Sequence, residues 1–256
     1  MESQVTVVVL TKNEASQMES LLQNVAKLTP HVLVVDSGST DDTVALAEAG
    51  GATVVYRAWD NDFSAQRNFA LEHVKTHWVL YLDADERLTP EAIASIEAMT
   101  VDGAPEAAYT LKRHAVLFGK ELRHGAMRPD RVARLFPTDK VHWVNKVHER
   151  PETDLPVKPL AGYAEHHTYS SWEQYLAKSN QYTTIWAEDA YRRNKKVSWF
   201  SAFSHATLGL FKVTILNGGF LDGWLGLIMC WNHYMYTLMK YAKLMELYRK
   251  GSLKND

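Results

Sequence analysis

Short apolar runs alternate with helical periodicity through the first hundred residues. Val5–Leu10 is a stretch of aliphatic and β-branched residues of the kind required by a strand buried on both faces. Ala15, Met18, Leu21, Leu22, Val25 and Leu28 then recur at helical spacing. Val32–Val35 and Thr53–Tyr56 read as second and third strands, with a helix start at Thr40-Asp41-Asp42 between them. Ser64–Val74 reads as a helix with Ala65, Phe69 and Ala70 on one side, and Trp78–Leu82 as a fourth strand ending at Asp83-Ala84-Asp85. Thr89-Pro90-Glu91 supplies an N-cap and a proline at the first helical position. This β-α-β-α-β-α-β-α order predicts an α/β fold, a mostly parallel sheet covered by helices.

Beyond Ala107 the pattern changes. Ala108–Phe118, Val132–Phe136 and Val141–Val147 look like strands, but their connections are too short for crossover helices, so a mixed sheet with irregular loops is expected. From Ser171 the spacing of Trp172, Tyr175, Leu176, Ser179 and Tyr182 predicts helix, followed by the basic run Arg192-Arg193-Asn194-Lys195-Lys196 and an aromatic tail. The expected organisation is a catalytic domain over residues 1–169, divided into halves at 1–100 and 101–169, and a helical extension over 170–256.

Composition adds exclusions. The 28 Lys and Arg nearly balance 30 Asp and Glu, which argues against a nucleic-acid-binding surface. The single cysteine, Cys230, excludes an intramolecular disulfide framework and a Cys-based zinc cluster. The amino-terminal segment reads as a strand rather than a signal peptide, so a cytoplasmic compartment is the expectation. Between Asp222 and Lys240 lie 17 uncharged residues, at the short limit for a membrane span. Asn232, His233, Gly223, Gly226 and Thr237 interrupt them, so these residues, within the segment 213–240, are expected to lie in the interface plane rather than to span, with Trp199, Trp224, Trp231 and Tyr234 at headgroup depth. Packing on the domain core and a dimer contact remain the alternatives.

In open α/β sheets ligands bind at the carboxyl ends of the strands. Here those ends carry Thr11-Lys12-Asn13-Glu14, Asp36-Ser37-Gly38-Ser39 and Asp83-Ala84-Asp85. Asn13 could instead cap the following helix, and Asp36 could form an Asx-turn. Asp83 and Asp85, two residues apart in an extended segment, would face one point and require a cation or donors to neutralise them. A divalent ion shared with a diphosphate meets that need.

The set Thr11-Lys12-Asn13-Glu14, Val34 to Thr43, Arg67-Asn68 and Asp83-Ala84-Asp85 resembles the family 2 glycosyltransferases of GT-A fold. No G-x-G-x-x-G or P-loop competes with that likeness. The resemblance implies transfer of a sugar from a nucleotide diphosphate, usually UDP-linked, with inversion at the anomeric carbon. It implies that Thr11, Asn13 and Glu14 line the nucleotide pocket and Asp36 meets base or ribose. Arg67, Asn68 and Ala84 would lie beside the donor, Asp83 would reach ribose or metal-bound water, and Asp85 would hold Mg²⁺ or Mn²⁺, with His166 completing the coordination. Arg134-Leu135-Phe136-Pro137, Val147-His148-Glu149, His166-His167-Thr168-Tyr169, Gly218–Gly223 and Lys240-Tyr241-Ala242-Lys243 resemble a bacterial branch that includes the WaaE/LgtF-type lipopolysaccharide core glucosyltransferases. That branch implies glucose transfer to inner-core heptose by a peripheral enzyme of the inner membrane's cytoplasmic face. Polyprenyl phosphate, a peptide or a capsule sugar are the other acceptors, and a non-catalytic sugar-nucleotide-binding protein is the other class.

Inverting transfer needs a base opposite the departing diphosphate. Glu149 is the first candidate, with an ion pair to Arg150 or Arg134 as its structural alternative; Asp130 and His148 stand in reserve. Arg128, Arg131 and Arg134 are candidates for phosphate binding.

Overall fold

The computed structural model describes residues 3–146 and 149–252. Its elements run β1 (Val5–Thr11), α1 (Ala15–Val25), β2 (Val32–Asp36), α2 (Thr43–Ala49), β3 (Thr53–Tyr56), α3 (Phe63–Leu71), β4 (Trp78–Asp83), β5 (Glu86–Leu88) and α4 (Pro90–Met99). Then come β6 (Ala108–Leu117), β7 (Lys120–Leu122), β8 (Asp130–Pro137), β9 (His142–Val144), β10 (Arg150–Glu152), β11 (Val157–Tyr169), α5 (Trp172–Arg192), α6 (Trp199–Phe211) and α7 (Gly223–Ser252). The chain forms two compact units, residues 1–113 with 130–166, and residues 114–129 with 167–256.

In the first unit the sheet order is β3-β2-β1-β4-β8-β6-β11-β5. β3, β2, β1 and β4 pair in parallel, while β8 runs antiparallel to β4 and to β6, and β5 antiparallel to β11. Alternation along β1 explains its apolar run. Val7 and Val9 pack with Met18, Leu21 and Ile96 on one face, and Val8 packs with Val79, Tyr81 and Phe136 on the other. The Thr89 cap is present, its side chain accepting from Ala92 N, with Pro90 opening α4.

One reading is extended and another corrected. The helix at α3 buries the polar Ser64, Gln66 and Arg67 along with the expected Ala70, while Phe69 packs half-buried against the core and Ala65 is half-buried. Each polar member of that face has a partner there: Ser64 Oγ donates to Val144 and Asn145 carbonyls, and Gln66 Nε2 to those of Arg57 and Ala58. The expected strand 141–147 shrinks to β9, because Asn145 takes a left-handed φ of 71° and ends the extension; Val147 lies outside the described residues.

In the second unit β7 folds back on β6 through Phe118-Gly119, both at positive φ as a two-residue hairpin turn requires. Ser171 caps α5 by accepting from Gln174 N, and Ser198 with Ser201 forms a capping box on α6. A π-helical turn, Lys212–Leu216, and a 3₁₀ turn, Gly219–Asp222, separate α6 from α7.

Candidate active site

The carboxyl ends of β1 and β2 are stitched together. Asn13 does not cap α1; at φ 58° its backbone N–H donates to Ser39 Oγ (2.9 Å) and its Oδ1 accepts from Thr40 N (2.8 Å). Glu14 N donates to Thr43 Oγ1 and Ala15 N to Asp41 Oδ2, so the loop after β2 covers the start of α1. Asp36 is buried and forms the Asx-turn, its Oδ2 accepting from Gly38 N (2.8 Å) and Ser39 N (2.9 Å). Thr11, also buried, donates to Asp36 Oδ1 at 3.4 Å. The two loops therefore form one hydrogen-bonded rim at the sheet edge where β4 ends.

The chain does not stay extended past β4. Ala84 and Asp85 make a turn into β5, so Asp83 and Asp85 take different partners rather than facing one point. Asp83 meets three guanidinium groups: Arg134 Nη2 at 2.5 Å, Arg113 Nη1 at 3.7 Å and Arg67 Nη2 at 3.9 Å. Burial alone would raise the Asp83 pKa, but Arg134 and Arg67 outweigh it and hold the carboxyl far below its usual range. Glu86, fully buried, receives Arg134 Nη2 (2.7 Å), Arg113 Nη1 (3.3 Å) and the Asp83 backbone N–H (3.0 Å). Arg134 is correspondingly pushed up against its own burial by these two acids. Arg87 locks the turn, donating to the carbonyls of Ala84 (2.7 Å) and Gln17 (2.9 Å).

Arg67 is buried with its guanidinium over the rings of Trp143 (4.5 Å) and Tyr81 (5.2 Å). Burial, then neighbouring Arg134, lowers its pKa. Its Nη2 is shared between Asp83 and Glu149 Oε1, the latter at 3.8 Å. Glu149 thus pairs with Arg67, while Arg150 is bonded to Glu152 and Arg134 to Asp83 and Glu86. Asp130 is clasped by Arg113 through Nε (3.0 Å) and Nη2 (2.6 Å), which lowers its pKa against burial. Held so, Asp130 is a weak proton acceptor. Asn68 spends its amide on the Trp143 backbone, donating to O and accepting from N at 2.8 Å each, and so fixes the ring under Arg67. Arg131 is exposed at the start of β8, and Arg128 lies in the second unit. His148 lies outside the described residues.

Antiparallel pairing of β11 with β5 sets His166 opposite Glu86 and brings its Nε2 to 3.2 Å from Asp85 Oδ2. Burial works against protonation of His166, but the Asp85 carboxylate prevails and raises its pKa. An edge of about 3 Å is what two adjacent ligands with bonds near 2.1 Å span on an octahedral ion. Among the described residues no group of three or more His, Cys, Asp or Glu could hold an ion unaided. Asp85 and His166 supply two donor atoms of the kind a divalent ion accepts, and an ion held there would need its other ligands from elsewhere. A separate cavity of about 520 Å³, lined by Thr6, His31, Thr53, His73 and Lys75 among others, opens at the amino-terminal ends of the strands and holds none of these acids.

Sheet order, the rim of loops and the acid–arginine cluster at one edge define the GT-A fold of nucleotide-diphospho-sugar transferases. Over residues 6–113 the chain matches the model of glycosyl transferase family 2. It is 28% identical to an uncharacterized glycosyltransferase of Rickettsia conorii over 98% of this chain and 92% of the relative. A lipopolysaccharide core biosynthesis glycosyltransferase, LpsC of Rhizobium meliloti, is 24% identical over 96% of this chain and 92% of its own. Among solved structures, the mannosyltransferase PcManGT from Pyrobaculum calidifontis, in complex with GDP-mannose and Mn²⁺, shares the fold with a TM-score of 0.50 at 14% identity, covering 96% of this chain and 88% of that one.

Proposed function

We propose that the protein is a metal-dependent, inverting hexosyltransferase that moves glucose from a UDP-sugar to an inner-core heptose of lipopolysaccharide, acting at the cytoplasmic face of the inner membrane. The observation that carries the reading is the shared guanidinium of Arg67, which holds Asp83 on the metal-side turn and Glu149 on the loop before β10 in one cluster. The end-to-end likeness to LpsC, whose name places it in lipopolysaccharide core synthesis, supports the acceptor class.

In this reading Asp85 and His166 hold Mg²⁺ or Mn²⁺. The ion, when bound, neutralises charge developing on the leaving diphosphate. Thr11, Asn13, Glu14 and Asp36 shape the nucleotide pocket. Asp83, kept ionised by its arginines, accepts hydrogen bonds from ribose hydroxyls or ordered water. Glu149 takes the proton of the acceptor hydroxyl, a contribution of about 10²–10⁴-fold. The pairing with Arg67 keeps Glu149 oriented until the acceptor arrives.

Incubating the purified chain with UDP-glucose, Mn²⁺ or Mg²⁺ and heptose-terminated core should add one hexose by mass, with GDP-mannose and the other common nucleotide sugars as comparison donors. Asp85→Ala should abolish transfer, and Glu149→Gln should lower kcat about 10²–10⁴-fold with donor KM nearly unchanged. No transfer from any nucleotide sugar, or full activity in Asp85→Ala, would overturn the assignment. Transfer to another acceptor alone would replace the heptose.

A further inference from the structure

We propose that the α6–α7 segment is a monotopic wedge that seats the second unit in the surface of an anionic lipid leaflet, independently of glycosyl transfer. Burial in α6 is inverted for a helix made to pack in water. It buries only its small residues Ala202 and Ala206, and exposes Trp199, Phe200, Leu208 and Phe211. The amino-terminal half of α7 turns Leu225, Met229 and Cys230 inward and leaves Trp224 (65% exposed) and Trp231 outward. At the junction Leu216 (70%) and Leu221 (61%) project from the turns between the helices.

Geometry favours lying in a leaflet over crossing it. Among the described residues no single helix is long and apolar enough to span a membrane; residues 199–216 and 219–250 pass only as a pair, bent by 66°. Gly218, at φ 66°, lies in the break between them. Residues 213–221 at the bend carry no charge, a tip that can sit about 5–10 Å below the headgroups.

Charge identifies the lipid. Between Asp189 and Glu246 there are seven Lys or Arg and one acid, in a chain whose acids outnumber its bases. That acid, Asp222, is turned inward, its Oδ2 accepting from Arg123 N (3.0 Å) and His124 N (2.8 Å). The surface shown by this segment is thus apolar and cationic, with aromatic rings between, which is the complement of an anionic headgroup layer. A second copy docked face to face would set the same positive sign against this surface, a repulsion that an anionic leaflet does not impose.

Cosedimentation of the full chain with vesicles of phosphatidylcholine, and of phosphatidylcholine with about 30 mol% phosphatidylglycerol, tests the assignment. Binding should be at least about tenfold tighter to the anionic vesicles and should weaken with salt. The double variant Leu216→Asp/Leu221→Asp should lose about tenfold or more, with unchanged circular dichroism because both side chains are exposed. Lys212→Glu/Lys196→Glu should lose the preference for anionic lipid while keeping the residual affinity for neutral vesicles. The proposal fails if the wild type stays in the supernatant with anionic vesicles, or if the leucine variant binds as tightly as the wild type. A dimer in light scattering that the leucine variant dissociates, without vesicle binding, would give this face to a second copy instead.

Discussion

Arg134 donates from one nitrogen to two carboxylates, Asp83 at 2.5 Å and Glu86 at 2.7 Å, and is itself buried. Removing one partner of such a cluster leaves the others desolvated and uncompensated, which costs more than the pair contributes on balance. Arg134→Met should therefore destabilise the chain by about 3–5 kcal/mol in urea unfolding. Adding Glu86→Gln to that variant should recover part of the loss, since the stranded charge is then gone. Sequence alone marks Asp83, Asp85 and Arg67 through their motif, but not how they are joined. It expects the two aspartates to converge because it extends the strand through Ala84, where the chain turns. Glu86 and Arg113 escape notice for a different reason. A lone acid at the start of a short strand and a basic residue in an alternating one read as solvent-facing, and only the β8–β6 and β11–β5 pairings enclose them. Likewise the 3.2 Å contact of Asp85 with His166 joins residues 81 positions apart, a proximity created by register that local pattern does not contain.

At the scale of elements, caps and buried strands are legible because they depend on near neighbours: Thr89-Pro90 starts α4 and Ser171 starts α5 as read. β11 is not, because its thirteen residues alternate poorly and are largely half-exposed, so no period of two announces it. The turns before α7 depend on packing that the sequence gives only as glycines. A Cβ at Gly219 would lie 2.2 Å from Cys230 Sγ and 2.7 Å from the Val213 carbonyl. Gly219→Ala should thus cost about 1–3 kcal/mol by overpacking, seen as a lowered Tm. The β6–β7 hairpin carries a polar clasp, with Glu121 bound by Arg123 Nε (2.8 Å) and by His114. Those donors, Arg123 foremost, outweigh burial and hold the Glu121 pKa at about 2 instead of 4.5. A depressed carboxyl stabilises the fold fully above its unfolded pKa and loses that contribution as pH falls towards its folded one. Glu121→Gln should accordingly destabilise the protein near pH 6 by about 1 kcal/mol after allowance for solvent screening, with the difference from wild type disappearing between about pH 4.5 and 2.

For the whole molecule, averages conceal segregation. A net charge of −2, a pI near 6.6 and a mean hydropathy of −0.28 describe an ordinary water-soluble chain. The same residues are distributed so that the stretch between Asp189 and Glu246 is cationic and apolar, and the remainder carries the excess of acids. Two kinds of attraction between copies follow: opposite charges meet, and exposed apolar faces such as that of Trp224, Leu216 and Phe200 adhere. Above the pI the net negative charge of each copy opposes both; close to the pI that net repulsion vanishes. Soluble protein after ultracentrifugation should therefore pass through a minimum near pH 6.6 in dilute buffer. Salt should relieve only the charge-driven part, because it screens ion pairs and leaves apolar adhesion intact. A mild non-ionic detergent should restore solubility at the same pH, and Leu216→Asp/Leu221→Asp should do so without detergent by adding acids to the apolar face. If salt alone restored full solubility, the apolar face would contribute nothing to association, and charge segregation would be sufficient to account for it.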